Sequence, residues 1–182
     1  MQADVQRLID TQAITDVLML YSRGIDRRDE AALMRVYWED AIDDHGEYSG
    51  PAHAFIKSVM PTLAQMKTSH MLANILIEFA STTVAQVETY FQATHVLGNE
   101  PQLSHWILGG RYLDRFEKRA EEWRIKERTV VVDYQRLLAD VQPWSGWQPR
   151  TQALCAAKPN DPVYRVFAPG AFPLPGGKPF PR

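Results

Sequence analysis

The amino-acid sequence predicts an α+β domain whose helices come first and pack on one curved antiparallel sheet. Three observations predict it. Apolar residues recur at helical spacing up to about residue 65. After Lys67 the texture changes to period-two alternation rich in β-branched residues, and the long runs of that second kind are joined by hairpin-length connections.

The elements follow in chain order. Val5, Leu8, Ile9, Ile14, Val17, Leu18 and Tyr21 share the helical period, which predicts an amphipathic helix with a break near Thr11 and a stop at Gly24. Asp29 is placed to cap a short second helix, EAALMRVY, because its carboxylate can accept from an unpaired amide of the first turn. Ser49-Gly50-Pro51 opens a third helix to about Gln65, proline being tolerated where the amide has no helical partner. AIDDHGEY, between those two helices, is a short turn-bounded segment. Strands are predicted over 68–79, 83–96, 103–118 and 122–133, connected by AST at 80–82, GNEP at 98–101 and AEE at 120–122.

The domain is expected to span 1–140. From 141 to 182 the chain holds nine of its twelve prolines, with Trp144, Trp147, Tyr164, Phe167, Phe172 and Phe180 among them. Proline at that density cannot support ladder or helix hydrogen bonds. The aromatics argue for an extended arm lying on its own domain or on a neighbouring subunit; a disordered tail is the alternative.

A chain of 182 residues suits one domain with such an extension. With 23% charged residues and a net charge of -2, it has no basic footprint, so no nucleic-acid partner is expected. Cys155 is the single cysteine, which excludes an internal disulfide and a cysteine-based zinc site. MQADVQRLID has no apolar core of a signal sequence, and no run of 18 apolar residues occurs, so a cytoplasmic protein without a membrane partner is expected.

The stretch TSHMLANILIEF raises the question of function. Alternation sets His70, Leu72, Asn74, Leu76 and Glu78 on one face, and Ser69, Met71, Ala73, Ile75, Ile77 and Phe79 on the other, which reads as core. The first face mixes an imidazole and an amide with two leucines. Apolar walls with a few placed polar groups are what a ligand pocket requires.

LYSRGIDRRD, DDHGEYSG, TSHMLANILIEF, GGRYLDRFEKR and EWRIKERTVVVDY together resemble the SnoaL-like branch of the nuclear transport factor 2-like superfamily, over about residues 5–134. The resemblance implies a cone-shaped, curved antiparallel sheet closed by the N-terminal helices around a deep pocket, a scaffold that hosts many functions. In members resembling scytalone dehydratase and the lindane dehydrochlorinase, an Asp after the first helix pairs with a strand His and no cofactor is used. Asp26 and His70 hold those positions here.

A carboxylate on one imidazole nitrogen fixes the tautomer and leaves the other nitrogen free to take a proton, so His70 is the expected general base and Asp26 its partner. Departing charge needs a donor: Arg111, Arg128, Tyr21, Tyr48 and Tyr112 are the candidates, and the resemblance selects Arg128 as catalytic. Tyr21, Asp44, His45, Tyr48, Leu72, Asn74 and Arg111 are expected to contact substrate. The competing structural readings are ion pairs of the two arginines with Asp114, Glu117 or Glu127, and core packing of Tyr112 beside Phe116. In DDHG only Asp43 and His45 can converge on one side of an extended chain, and two ligands do not close a metal site, so no metal is expected. His95 and His105 are expected nearly opposite each other across a hairpin, without a catalytic role, and Cys155 is expected to be inert.

The expected activity is therefore a cofactor-independent lyase or isomerase acting on a small apolar, aromatic or cyclic molecule, by water loss, halide loss or retro-aldol cleavage with formaldehyde release. The alternatives are a noncatalytic ligand-binding or assembly protein, and the small structural subunit of an aromatic-ring hydroxylating oxygenase. A homo-oligomer, dimer or trimer, is expected because the sheet's outer face needs covering.

Overall fold

The helical spacing of the first segment produces one unbroken helix, α1 (Gln2–Asp26), in the computed structural model, which describes residues 2–99, 102–139 and 155–166. Thr11 does not interrupt it; its carbonyl also accepts from the Thr15 hydroxyl at 2.8 Å. Nor does Gly24 stop it. A Cβ at Gly24 would lie 2.7 Å from Leu33 Cδ2, so the missing side chain is what lets the next helix approach α1. Ile14, Val17, Leu18, Tyr21 and Ile25 are buried, whereas Val5 and Leu8 in the opening turns stay exposed.

Asp29 accepts from the Ala32 amide and caps α2 (Glu30–Val36) as expected. The chain then forms β1 (Tyr37–Asp44), β2 (Ser49–Pro51), α3 (Ala52–Leu63), β3 (Lys67–Phe79), β4 (Val84–Asn99), β5 (Gln102–Arg119) and β6 (Glu122–Leu138). The strands make one curved sheet in the order β2-β1-β6-β5-β4-β3. The α+β class is as predicted, but the sheet is mixed rather than wholly antiparallel: β1 runs parallel to β6, with Asp43 opposite Arg128. Parallel neighbours need a long crossover, and α3 with the β3–β5 meander supplies it.

The core lies between α1, α2, α3 and the concave face, where Leu18, Leu33, Ile56, Phe116, Trp123 and Ile125 are fully or almost fully buried. Each side chain of that size stabilises the fold by about 1.5–3 kcal/mol relative to exposure. The Trp123 indole donates to Asp10 at 2.8 Å, which satisfies a buried polar atom and ties α1 to the start of β6.

Strand β3 departs from simple alternation. Ala73 pairs with Tyr90 but Leu76 with Glu88, so three steps on β3 match two on β4, and the extra residue forms a bulge with Asn74 at φ 46°. Before the bulge Thr68, His70 and Leu72 turn inward; after it Ile75, Ile77 and Phe79 do. Ser69, Met71 and Ala73 are therefore exposed rather than core, and Asn74, Leu76 and Glu78 leave the inner face.

Of the Pro-rich arm, residues 155–166 are described, including the short α4 (Val163–Val166). This piece lies on the α1–α2 turn. The Lys158 amide donates to the Arg27 carbonyl at 2.9 Å, and the Lys158 ammonium and Tyr164 hydroxyl both reach Asp29 at 3.0 Å. Arg27 pairs with Asp161. The rest of the expected arm lies outside the described residues.

Candidate active site

The concave face, α1 and α3 enclose a cavity of about 440 Å³ whose wall is mostly apolar, with Phe55, Phe91, Trp106 and Leu108 among its lining residues. That size suits a small organic ligand of one or two rings. Three histidines border it: His70 from β3, His95 from β4, and His45 from the turn after β1. A second hollow of similar volume on the other side of Asp26 is lined by Arg28, Gln65, Lys67 and Cys155 and is polar, without an imidazole.

Asp26 ends α1 and His70 lies inward on β3, so the fold brings together residues 44 positions apart. His70 Nδ1 lies 2.7 Å from Asp26 Oδ1. The carboxylate also accepts from the His70 amide at 2.9 Å and the Thr68 hydroxyl at 2.9 Å, which fixes it in place. Burial alone would push the Asp26 carboxyl up, but the hydrogen bonds and charge of His70, with Thr68, outweigh it and hold the group below its usual range. Both side chains are about one-tenth exposed, and Nε2 of His70 is left for a ligand.

Arg128 is not on the cavity wall. Its Nε and one terminal nitrogen donate to Asp114 at 2.7 and 2.6 Å, and its guanidinium packs 4.1 Å from the ring centres of both Tyr21 and Tyr112. The ion pair is fully buried. Burial works against the charge, but Asp114 outweighs it and keeps the guanidinium well above its ordinary value. Register explains the placement: β5 sets Asp114 directly opposite Arg128. Among the sequence-predicted residues, Arg128 thus supports the rings above it instead of reaching a substrate.

The other expected contacts divide. Tyr21, His45 and Tyr48 border the cavity. Burial raises the Tyr21 phenol far above its usual value, so it stays a neutral donor. Tyr48 donates to the Pro51 carbonyl at 2.9 Å. Asp44 accepts from the Gly46 amide on the outer side of the turn, and Asp43 takes the inward place beside His45. Leu72 packs in the core, Asn74 is exposed at the bulge, and Arg111 is held on the outer face by Asp133 and Glu88.

Two groups were underrated by the sequence. His95 pairs with Trp106, not with His105, so one histidine faces the cavity and the other does not. Its ring lies 5.6 Å from that of His70, edge to face, and its Nδ1 is buried without a partner. Burial, reinforced by His70, pushes the His95 imidazole down and keeps it neutral. Asp43 is the second: fully buried, it accepts from the Tyr37 hydroxyl at 2.5 Å and holds His45 Nδ1 at 2.6 Å. Alternation along DDHG already set Asp43 and His45 on one side. No group of three or more His, Cys, Asp or Glu that could hold a metal ion occurs among the described residues.

A SnoaL-like domain pattern matches residues 6–129, from the first turns of α1 to the middle of β6. The chain belongs to the SnoaL-like domain family. Hexachlorocyclohexane dehydrochlorinase 1 of Sphingobium indicum is 28% identical over 145 residues, covering 76% of this chain and 92% of that protein. Among solved structures, a type 2 hexachlorocyclohexane dehydrochlorinase superposes with a TM-score of 0.69 at 22% identity, over 79% of this chain and 99% of the other. A candidate scytalone dehydratase from Novosphingobium aromaticivorans DSM 12444 gives 0.66 at 23%, over 80% and 99%. These structural likenesses establish the fold shared by this SnoaL-like protein and its relatives.

Proposed function

We propose that this SnoaL-like protein is a lyase that removes a proton from carbon and expels a leaving group from the neighbouring atom, with His70 as general base and Asp26 as its orienting partner. The carrying observation is the fixed Asp26–His70 pair opening onto an aromatic cavity. Asp26 holds Nδ1–H of His70, so Nε2 presents a lone pair, and the imidazolium formed on proton transfer is stabilised by the carboxylate beside it. Neutral Tyr21 supplies a hydrogen-bond donor on the same wall for charge developing on the substrate. Proton transfer of this kind needs no cofactor. The relatives named for dehydrochlorination and scytalone dehydration support elimination over binding alone.

The substrate fitting the wall is a small, largely apolar molecule with one or two rings. Met71, Leu76, Tyr90 and Leu113 leave apolar surface exposed, and covering it by further copies of the chain is the assembly we propose. No helix among the described residues is long and apolar enough to cross a membrane, and a cytoplasmic location is part of the proposal.

Deuterium exchange at the carbon next to a ketone, followed by NMR in heavy water on an aryl ketone probe, tests the base directly. The wild-type protein should catalyse exchange and His70→Ala should lose it. Equal exchange by both proteins would defeat the assignment.

A further inference from the structure

The cavity carries a second histidine–carboxylate pair built on the same plan as the first. Asp43 is fully buried, one oxygen taking the Tyr37 hydroxyl and the other holding His45 Nδ1 at 2.6 Å. Asp26 is likewise satisfied by Thr68 and the His70 amide while it holds His70 Nδ1. Each imidazole therefore has one nitrogen fixed and one left for a ligand, and both rings border the same cavity. His45 follows β1 and His70 lies on β3, toward opposite edges of the six-stranded sheet, so the cavity is approached by one from each side.

The remaining contacts of His45 hold its ring in a single plane. It stacks on Phe55 of α3, with ring centres 4.3 Å apart and planes 20° from parallel. Its amide donates to the Tyr48 carbonyl at 2.8 Å, closing a turn in which Gly46 has φ 79°. The side chain remains 26% exposed, in contrast with the wholly covered Asp43. A merely structural histidine would have no need of an open edge on the cavity together with a dedicated buried carboxylate.

We propose that His45, held by Asp43, is the general acid that protonates a departing oxygen, so that the preferred substrate is a β-hydroxy carbonyl compound losing water. The proposal rests on His70 as the base. His70 Nε2 takes the proton next to the carbonyl; the C–H pair becomes the new C=C bond. The C–O bond breaks with its pair on oxygen, which takes the proton from His45 Nε2 and leaves as water. Exchange with solvent then returns His70 to the neutral form and His45 to the charged form. Chloride leaves as a stable anion and needs no proton, so the acid matters only for oxygen.

A matched pair of probes separates the roles. The β-hydroxy ketone formed by adding acetophenone to benzaldehyde, and its β-chloro analogue, both give chalcone on elimination and share the same acidic carbon. For His45→Gln, checked for folding by circular dichroism, the ratio of chalcone formed from the hydroxy ketone to that formed from the chloro ketone should fall by about 10²-fold or more, the usual contribution of a general acid. Asp43→Asn should lower the same ratio. In the wild-type protein, whose fold is not in question, a solvent deuterium isotope effect should appear on water loss and not on chloride loss.

An unchanged ratio, or equal isotope effects on the two probes, overturns the role of His45. Wild-type carbon-bound proton exchange without either variant altering the ratio leaves the base standing and removes only the acid. Absence of that exchange defeats the base and the acid together. Release of benzaldehyde and acetophenone in place of chalcone would assign carbon–carbon cleavage and overturn water loss.

Discussion

Two carboxylates in this protein each hold a nitrogen base of another element and do different work. Asp26–His70 borders the cavity with one ring nitrogen uncommitted, and Asp114–Arg128 is sealed beneath it, doubly hydrogen-bonded and packed against the Tyr21 and Tyr112 rings. The difference teaches where chemistry can reside. Arg128, sealed away from the cavity with one terminal nitrogen buried and unpartnered, supports structure, whereas an imidazole with an uncommitted nitrogen on the cavity wall can meet a substrate.

The comparison is broken most severely at its reactive member. His70→Ala should lower elimination by about 10²–10⁴-fold, yet leave far-ultraviolet circular dichroism intact, because Thr68 and the amide of residue 70 still hold Asp26. Asp26→Asn should cost as much or less, by presenting the wrong tautomer; full activity in that variant would separate the aspartate from the base.

At the sealed member the loss should be of stability. Arg128→Leu leaves Asp114 buried and uncompensated, and removing one partner of such a pair costs about 3–5 kcal/mol, read as an early midpoint in urea. The double variant Arg128→Met, Asp114→Leu should recover much of that loss. A double variant no more stable than the single one would show that the pair is needed for more than its own neutralisation.

Acid sharpens the contrast further. The Asp26 carboxyl has a folded value below its ordinary 3.8, and the His95 imidazole a folded value below its ordinary 6.5. In both, the unfolded chain binds the proton more readily. The stability linked to His95 is fully present above about pH 6.5 and is lost as pH falls through its lower folded value; that linked to Asp26 is lost below about pH 3.8. His95→Gln should flatten the first part of a melting-temperature profile against pH, and Asp26→Asn the second.

The smallest expected effect is at the bulge. Asn74 holds φ 46°, so Asn74→Ala should destabilise by about 1 kcal/mol and Asn74→Gly by less. Equal melting temperatures for the alanine and glycine variants would argue against a left-handed residue there.

Much of this arrangement is legible in the sequence. The helix-then-strand order predicts the α+β class, and Asp29 predicts its cap. The positions of Asp26 and His70 follow from resemblance, and simple alternation identifies Asp43 as the inward neighbour of His45. The parallel pairing of β1 with β6 was beyond reach, because strand direction depends on a crossover and not on local texture. Arg128 was misplaced for a related reason: only the β5–β6 register reveals Asp114 opposite it. Asn74 and Leu76 were misassigned because period-two alternation continues unchanged through a bulge, although the backbone changes sides there.

The bulge also makes the two halves of β3 separable under mutation. Thr68, His70 and Leu72 serve the cavity side, and Ile75, Ile77 and Phe79 complete the core, with the slip at Asn74 as their junction. Keeping the residue but flattening the slip would restore strict alternation and, with His70 in place, send Asn74, Leu76 and Glu78 inward and Ile75, Ile77 and Phe79 out, whereas losing Asn74 together with the slip would leave those three inward. Inherited variation can thus reshape the cavity end of the strand without disturbing the core end, provided that the slip and its extra residue are kept or lost together.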